Sequence, residues 1–368
     1  MPNRPTKSDS PPAEPRIGAH VSTAGHIDIA ADNAGKLDVE AVQIFGAAPQ
    51  QWRRKEHAPE HIAAFRDKMA ANDIGPNFIH GIYLTNLGTP EPQHLRKGIE
   101  SLTADMRLGS ALGVAGVIFH VGSHLGAGFD AVLPQVVASM KEIVAASPDD
   151  IFLCIENNAG TGNSVGSSFA EIGAIMSGIG GTRVKVCLDT CHAYSADYDL
   201  STRDGLATAM AEFDREIGLE NLIAVHANDS KTPRGSGKDR HENIGWGSIG
   251  IDGFRNVLGH PAFQRATWLL EVPGFEGGGP DRLNVRILRA LRDGTSLPRI
   301  PKPKTPAAKT AAKKVPANKP AAKKPAAQKA GTRKRTRKAA SAAKRSARST
   351  SKPKALKKAP TRTRASKA

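Results

Sequence analysis

Two blocks of this chain place imidazoles and carboxylates at spacings that suit metal chemistry. Cys187-Leu188-Asp189-Thr190-Cys191-His192 sets a carboxylate and an imidazole three residues apart. Val225-His226-Ala227-Asn228-Asp229-Ser230-Lys231 is followed by Lys238-Asp239-Arg240-His241, and an Asp-x-His in a loop can clamp one ion from two sides. Imidazole and carboxylate donors together suit Zn²⁺, with Mn²⁺ or Fe²⁺ as relatives. Taken singly, a His or Asp of this kind is more often a helix cap or a surface group. Cys154, Cys187 and Cys191 read as small core residues rather than thiolate ligands, and three cysteines do not make a disulfide framework.

Donors so far apart in sequence need a scaffold that gathers them. Short apolar runs recur at 16–21, 39–45, 76–79, 114–119, 151–155, 184–188, 222–225 and 267–270. Between them, 95–112, 129–146, 167–178 and 202–217 carry apolar residues three and four apart, the spacing of a helix face. Eight strands alternating with helices predict parallel βαβ units, in a closed barrel or an open doubly wound sheet. The glycine fingerprint of a dinucleotide fold does not follow the first strand.

What ends each run decides between these. The first reaches His20, the third His80, the fourth His120, the fifth Glu156, the sixth Asp189, the seventh His226 and the eighth Glu271, while the second carries Gln43 inside an apolar stretch. In a (β/α)8 TIM barrel all eight carboxyl ends converge on one face, where active sites lie. Independent helix caps would mostly be Ser, Thr, Asn and Asp. So many His, Asp and Glu side chains at one mouth are costly to desolvate unless something positive sits among them. The expectation is an α/β chain with one TIM barrel over residues 16–300.

With those residues in view, the chain resembles the endonuclease IV family of apurinic/apyrimidinic endonucleases, which use a trinuclear zinc site. The resemblance is carried by Ile17-Gly18-Ala19-His20-Val21-Ser22, by the segment from His80-Gly81-Ile82-Tyr83 to Asn86-Leu87-Gly88, and by Phe119-His120-Val121-Gly122-Ser123-His124. Ile155-Glu156-Asn157, the Cys187–His192 run and the His226–His241 block complete it, in order from about residue 16 to 295. It implies nine ligands for three zinc ions: His80, His120 and Glu156 on one; a bridging Glu156 with Asp189, His226 and Glu271 on the second; His192, Asp239 and His241 on the third. Glu156 would also hold the nucleophilic water. The implied reaction is hydrolysis of the phosphodiester 5′ to an abasic site in duplex DNA, with trimming of blocked 3′ ends alongside. His20 and His124 would support the ligands, and Lys231 and Arg240 would touch DNA. The family's duplex-penetrating side chains match Gln50, within Pro49-Gln50-Gln51-Trp52, and Tyr83; the chain departs from the pattern at Gln50, where an Arg is expected.

Charge is distributed unevenly. Residues 301–368 hold 24 Lys and Arg and no acid, so the other 28 basic and 35 acidic residues leave positions 1–300 at −7 although the whole chain is at +17. Apart from Ala, the only apolar residues of that tail are Val315 and Leu356, too few to offset the entropy of ordering it. The tail is therefore expected to be disordered and to bind nucleic acid through phosphates, like the basic tails of histone-like proteins. Residues 1–15, rich in Pro and Ser, read as a disordered leader without a secretory signal, and no run suits a membrane span. Together with the resemblance, which implies damaged double-stranded DNA as the substrate, these features lead to the expectation of a monomeric, cytoplasmic, nucleoid-associated protein. Two rivals are a metal-dependent sugar isomerase or epimerase, and a nucleoid-binding protein whose barrel is only a scaffold. Deleting residues 301–368 should weaken DNA binding and flatten its salt dependence while single-turnover cleavage stays within about twofold; an unchanged salt slope in a binding titration would refute the tail's role.

Overall fold

The computed structural model describes residues 14–302. The expected tail from residue 303 onward, and all of the expected leader except Glu14 and Pro15, lie outside the described residues. Within them, eight parallel strands close into a barrel: β1 Ile17–His20, β2 Ala41–Phe45, β3 Phe78–His80, β4 Gly116–Phe119, β5 Phe152–Glu156, β6 Val184–Asp189, β7 Leu222–His226 and β8 Thr267–Leu270. β1 pairs with both β2 and β8, so there is no free edge. Every strand falls on one of the expected apolar runs, with bounds moved by at most two residues.

The expected helices are α3 (Pro92–Leu112), α4 (Phe129–Ala145), α5 (Phe169–Ile179) and α7 (Arg203–Glu216). Five more were not anticipated: α1 (Ile29–Leu37), α2 (Pro59–Ala71), α6 (Thr190–Ser195), α8 (Gly250–Gly259) and α9 (Arg282–Arg292), although α9 sets Leu283, Ile287, Leu288 and Leu291 three and four apart. The reason is physical for several of them. α1 buries only alanines against the sheet, α2 buries only Phe65 and Met69, and α6 is six residues long. No helix among the described residues is long and apolar enough to cross a membrane.

Strand side chains alternate between two faces, and here the two faces have different tasks. Val42, Ile44, Ile79, Val117, Leu153, Ile155, Val186, Val225 and Trp268 point outward into the main core beneath the helices. The inward face forms a separate buried plug of Ala41, Phe78, Ile118, Cys154, Cys187, Ala224 and Leu269. Two residues further along each strand, the same inward face reaches Gln43, His80, His120, Glu156, Asp189, His226 and Glu271. β1 supplies the eighth pair, Gly18 and His20. The barrel is thus an apolar floor carrying a polar ring, and Cys154 and Cys187 belong to the floor.

The floor is tightly fitted at β1, where a Cβ on Gly18 would lie 2.4 Å from the Ala41 carbonyl oxygen. Gly18→Ala should therefore cost about 1–3 kcal/mol through overpacking, read as a lowered midpoint in thermal unfolding; an unchanged midpoint would show that the floor can yield.

Candidate metal centre

The polar ring converges on Glu156, which is buried. His80 Nε2 lies 3.0 Å and His120 Nε2 3.3 Å from its Oε2, while His226 Nδ1 lies 2.9 Å and His192 Nδ1 3.2 Å from its Oε1. Asp189 Oδ2 and Glu271 Oε2 stand 3.8 Å and 3.4 Å from His226 Nδ1. Over this group lies a second cluster, in which His192 Nε2 and His241 Nε2 face each other at 3.5 Å and sit 3.3 Å and 3.2 Å from Asp239 Oδ1.

Local structure aims several of these imidazoles. His80 Nδ1 donates to the Gly81 carbonyl (2.7 Å), and His241 Nδ1 lies 3.3 Å from the Glu271 carbonyl. A carbonyl oxygen only accepts, so Nδ1 carries the proton and Nε2 presents a lone pair to the cluster. His192 has the same relation to the Asn157 carbonyl at 3.0 Å. Lone pairs facing carboxylate oxygens, and each other, at about 3 Å repel unless a proton or a metal cation lies between them. His120 adds a buried Nδ1 without a partner.

Protons can serve only in part. Burial opposes ionisation of Glu156, but His120, His226 and His192 outweigh it and hold the carboxyl well below the usual carboxylate range. Burial likewise opposes charging of His192, yet Asp189, Asp239 and Glu156 push its pKa well above the ordinary imidazole value. His120 goes the other way, its pKa pushed below the ordinary imidazole value by burial.

Three donor groups fit divalent ions directly: His80, His120 and Glu156; Glu156, Asp189, His226 and Glu271; and His192, Asp239 and His241, the donor atoms of each lying within 4.8 Å of one another. Donors about 2.0–2.2 Å from a common ion lie at most about 4.4 Å apart, so small side-chain shifts would close each group on an ion. All nine residues expected as ligands fall into these groups. A further combination, Asp189, Cys191 and His241, meets the same distance, so Cys191 is a core residue that also borders the ring.

The supporting amides were not singled out from the sequence. Asn157 accepts from the Asp189 N–H (2.7 Å) and donates to its carbonyl (3.2 Å). Asn228 donates to Asp189 Oδ2 (2.7 Å) and accepts from the Glu271 N–H (2.9 Å). Asp189 is also the N-cap of α6, its Oδ1 accepting from the His192 N–H at 2.8 Å. Helix cap and candidate metal donor are here the two oxygens of one carboxylate.

Asp239 and His241 reach the mouth on the loop after β7. There Asp229–Ser230 pairs antiparallel with His241–Glu242. The buried Asp229 carboxylate organises this excursion by accepting from the N–H groups of Ser230, Gly245, Gly247, Ile249 and Gly250 at 2.8–3.3 Å. Gly247 permits the approach, since a Cβ there would stand 2.3 Å from Asp229 Oδ1.

The other expected residues are placed unequally. His20 Nδ1 lies 3.4 Å from Glu271 Oε1, at the edge of the ring. His124 is used elsewhere: its Nδ1 accepts from the Gly126 and Gly128 N–H groups and shapes the loop after β4. Tyr83 is 57% exposed, with its ring 5.7 Å from that of His80 and its N–H donating to the Pro49 carbonyl. Lys231 and Arg240 are exposed on the ribbon loop. A groove of 1390 Å³ opens beside the ring between the loops after β1, β2 and β8, bordered by His20, Tyr83, His241 and Glu271. Gln51, Arg53 and Lys55 line it; Gln50 is exposed but not among its lining residues. Arg53 and Lys55 were not anticipated, although the Arg53-Arg54-Lys55 run was visible. Arg54 instead pairs with the buried Asp105 on α3, tying the loop after β2 to the barrel.

Comparison with known proteins places the geometry in context. Residues 31–293 match the family described as a Xylose isomerase-like TIM barrel. The chain is similar to the probable endonuclease 4 of Methanoculleus marisnigri, with 41% identity over 75% of this chain and 98% of that protein. It is also similar to the probable endonuclease 4 of Halothermothrix orenii, with 36% identity over 74% and 99%. Among solved structures, endonuclease IV from Thermus thermophilus matches with a TM-score of 0.68 and 34% identity, covering 76% of this chain and all of that one. A D-tagatose 3-epimerase-like protein matches at a TM-score of 0.55 and 15% identity, over 76% and 94%, a likeness of fold alone.

Asp229→Asn is the sharpest test of how the mouth is built, because it sets an amide NH₂ against backbone donors. It should cost roughly 3 kcal/mol and open the 231–240 segment to limited proteolysis; a protease-resistant loop in the variant would contradict this account.

Proposed function

This chain belongs to the endonuclease IV family, and on that premise we propose that it is a DNA-repair enzyme hydrolysing the phosphodiester 5′ to abasic sites in duplex DNA. The products are a 3′-hydroxyl and a 5′-deoxyribose phosphate, and the same site trims blocked 3′ ends. The observation that carries the reading is the presence of three donor groups around the mouth, two of which share Glu156.

Three zinc ions, with manganese or iron as substitutes, match this donor set: His80, His120 and Glu156 would hold one, Glu156, Asp189, His226 and Glu271 the second, and His192, Asp239 and His241 the third. Bound there, such ions lower the pKa of water and offset charge gathering on a phosphate. The nine side chains bring five neutral imidazoles and four carboxylates, four negative charges against the six positive charges of three divalent ions, so a phosphodiester anion is favoured. Glu156, shared by two groups, would fix their spacing and hold the attacking water. Asp239 is more than half exposed, at the edge that substrate meets first.

The groove beside the ring supplies the rest. Arg53 and Lys55 can neutralise backbone phosphates without reading sequence. Tyr83, exposed beside the ring, and Gln50, exposed on the adjoining loop, would be the side chains to enter the gap left by a missing base, whose absence lowers the cost of unstacking the sugar. Lys231 and Arg240 on the ribbon loop, and the basic residues of 301–368, would add phosphate contacts and hold a monomer on the nucleoid.

The test is incision of a duplex oligonucleotide carrying one abasic-site analogue. A single cut on the 5′ side is expected, lost on metal stripping and restored by zinc. Glu156→Gln should lower the rate by at least about a thousandfold, near the upper range for removing a group central to transition-state stabilisation. No cut by fully metallated protein would reject the nuclease reading and leave a sugar isomerase on the same barrel as its replacement.

A further inference from the structure

Gln43 is a fully buried amide on β2 to which the proposed reaction assigns no task. Its side chain reaches across the mouth to three other strands or their ends. Oε1 lies 2.8 Å from His226 Nε2, while Nε2 lies 2.7 Å from Glu271 Oε1 and 3.0 Å from His20 Nδ1. These contacts determine one another. The Glu271 carboxylate only accepts, so the NH₂ of Gln43 must face it, and the amide oxygen must then face His226. That oxygen also only accepts, so His226 Nε2 carries the proton. The lone pair of His226 is left on Nδ1, the nitrogen that faces Glu156, Glu271 and Asp189. A flipped amide would set its oxygen 2.7 Å from the Glu271 carboxylate oxygen, two acceptors with no proton between them.

His226 differs in this from its neighbours. His80, His192 and His241 have Nδ1 against backbone carbonyls of Gly81, Asn157 and Glu271, which no substitution removes. His226 is oriented by a side chain. The same amide holds one oxygen of Glu271 and so turns the other, Oε2, toward His226 Nδ1.

We propose that Gln43 is a positioning residue for the group Glu156, Asp189, His226 and Glu271: it fixes the tautomer of His226 and the rotation of Glu271, and thereby sets the affinity of that one group for its divalent ion. The inference rests on the metal reading above but has its own readout. Groups that orient a metal-binding histidine are commonly worth ten- to a hundredfold in metal affinity.

The experiment is a zinc titration of the metal-free full-length chain against a competing chromophoric chelator, for wild type, Gln43→Met, which keeps length without hydrogen bonds, and Gln43→Asn, which keeps the amide but cannot reach. The thermal midpoint of each metal-free protein is measured alongside. The expected result is three binding events in all three proteins, with one weakened about 10- to 100-fold in both variants and the others within about threefold of wild type. Incision by the variants should fall at limiting free zinc and recover when zinc is raised. Unchanged affinities in both variants would overturn the inference. Equal weakening of all three events with a lowered metal-free midpoint would also overturn it, showing a general packing role. A wild type that binds no zinc would instead remove the metal reading itself, a failure separable from the other two.

Discussion

Glu156 is one buried carboxylate among four imidazole nitrogens, all within 3.3 Å of its two oxygens. Removing such a group from water is expensive, and the expense falls only if positive charge is supplied and every remaining lone pair is directed. Most of the architecture around the mouth can be understood as meeting those two conditions. The imidazoles are turned by carbonyls and by Gln43, the Asp189 carboxylate is held by Asn228 and the His192 N–H, the Glu271 carboxylate by Gln43, and the Asp189 backbone by Asn157. The positive charge is the part that the protein leaves to come from outside, as protons or as metal ions.

The rigidity needed comes from where the donors are rooted. Six of the nine candidate ligands are the last residue of a barrel strand or the one just after it, so the closed hydrogen-bonded ladder limits their movement. His192 follows within one turn of α6, whose cap is itself a candidate ligand. Only Asp239 and His241 come from a long loop, and that loop is tied by Asp229 to five of its own amides. Donors on regular elements are located more accurately than donors on loops, and the loop here has been given an internal fastening that makes up the difference.

This pattern explains what the sequence could and could not tell. The strands were legible because their outward faces are apolar, and the ring was legible because six of the eight runs end in His or Glu, types that rarely cap helices. The floor could have been read from the same strings, since Ala41, Phe78, Ile118, Cys154, Cys187, Ala224 and Leu269 each stand two positions before a polar residue. Gln43, Asn157 and Asn228 were not legible as organisers, because an amide signals neither charge nor metal chemistry and its worth depends on what faces it. His124 shows the converse: an imidazole in a motif-rich stretch, used to hold two loop amides. α1 escaped because alanines alone cover its contact with the sheet. The placement of Arg53 and Lys55 on the groove, beside an Arg54 turned inward to Asp105, depends on loop conformation that no periodicity encodes.

The two-storey interior has a consequence for descent. Because each reagent stands one inward position above an apolar residue of the floor, a lineage can exchange the upper eight side chains while inheriting the lower eight unchanged. Heritable change in chemistry is thereby uncoupled from heritable change in foldability. Proteins described as epimerases share this barrel at 12–17% identity, a divergence at which little but the vessel persists. A barrel of this kind behaves less like a specialised tool than like a socket, and selection can refit it without first having to rebuild it.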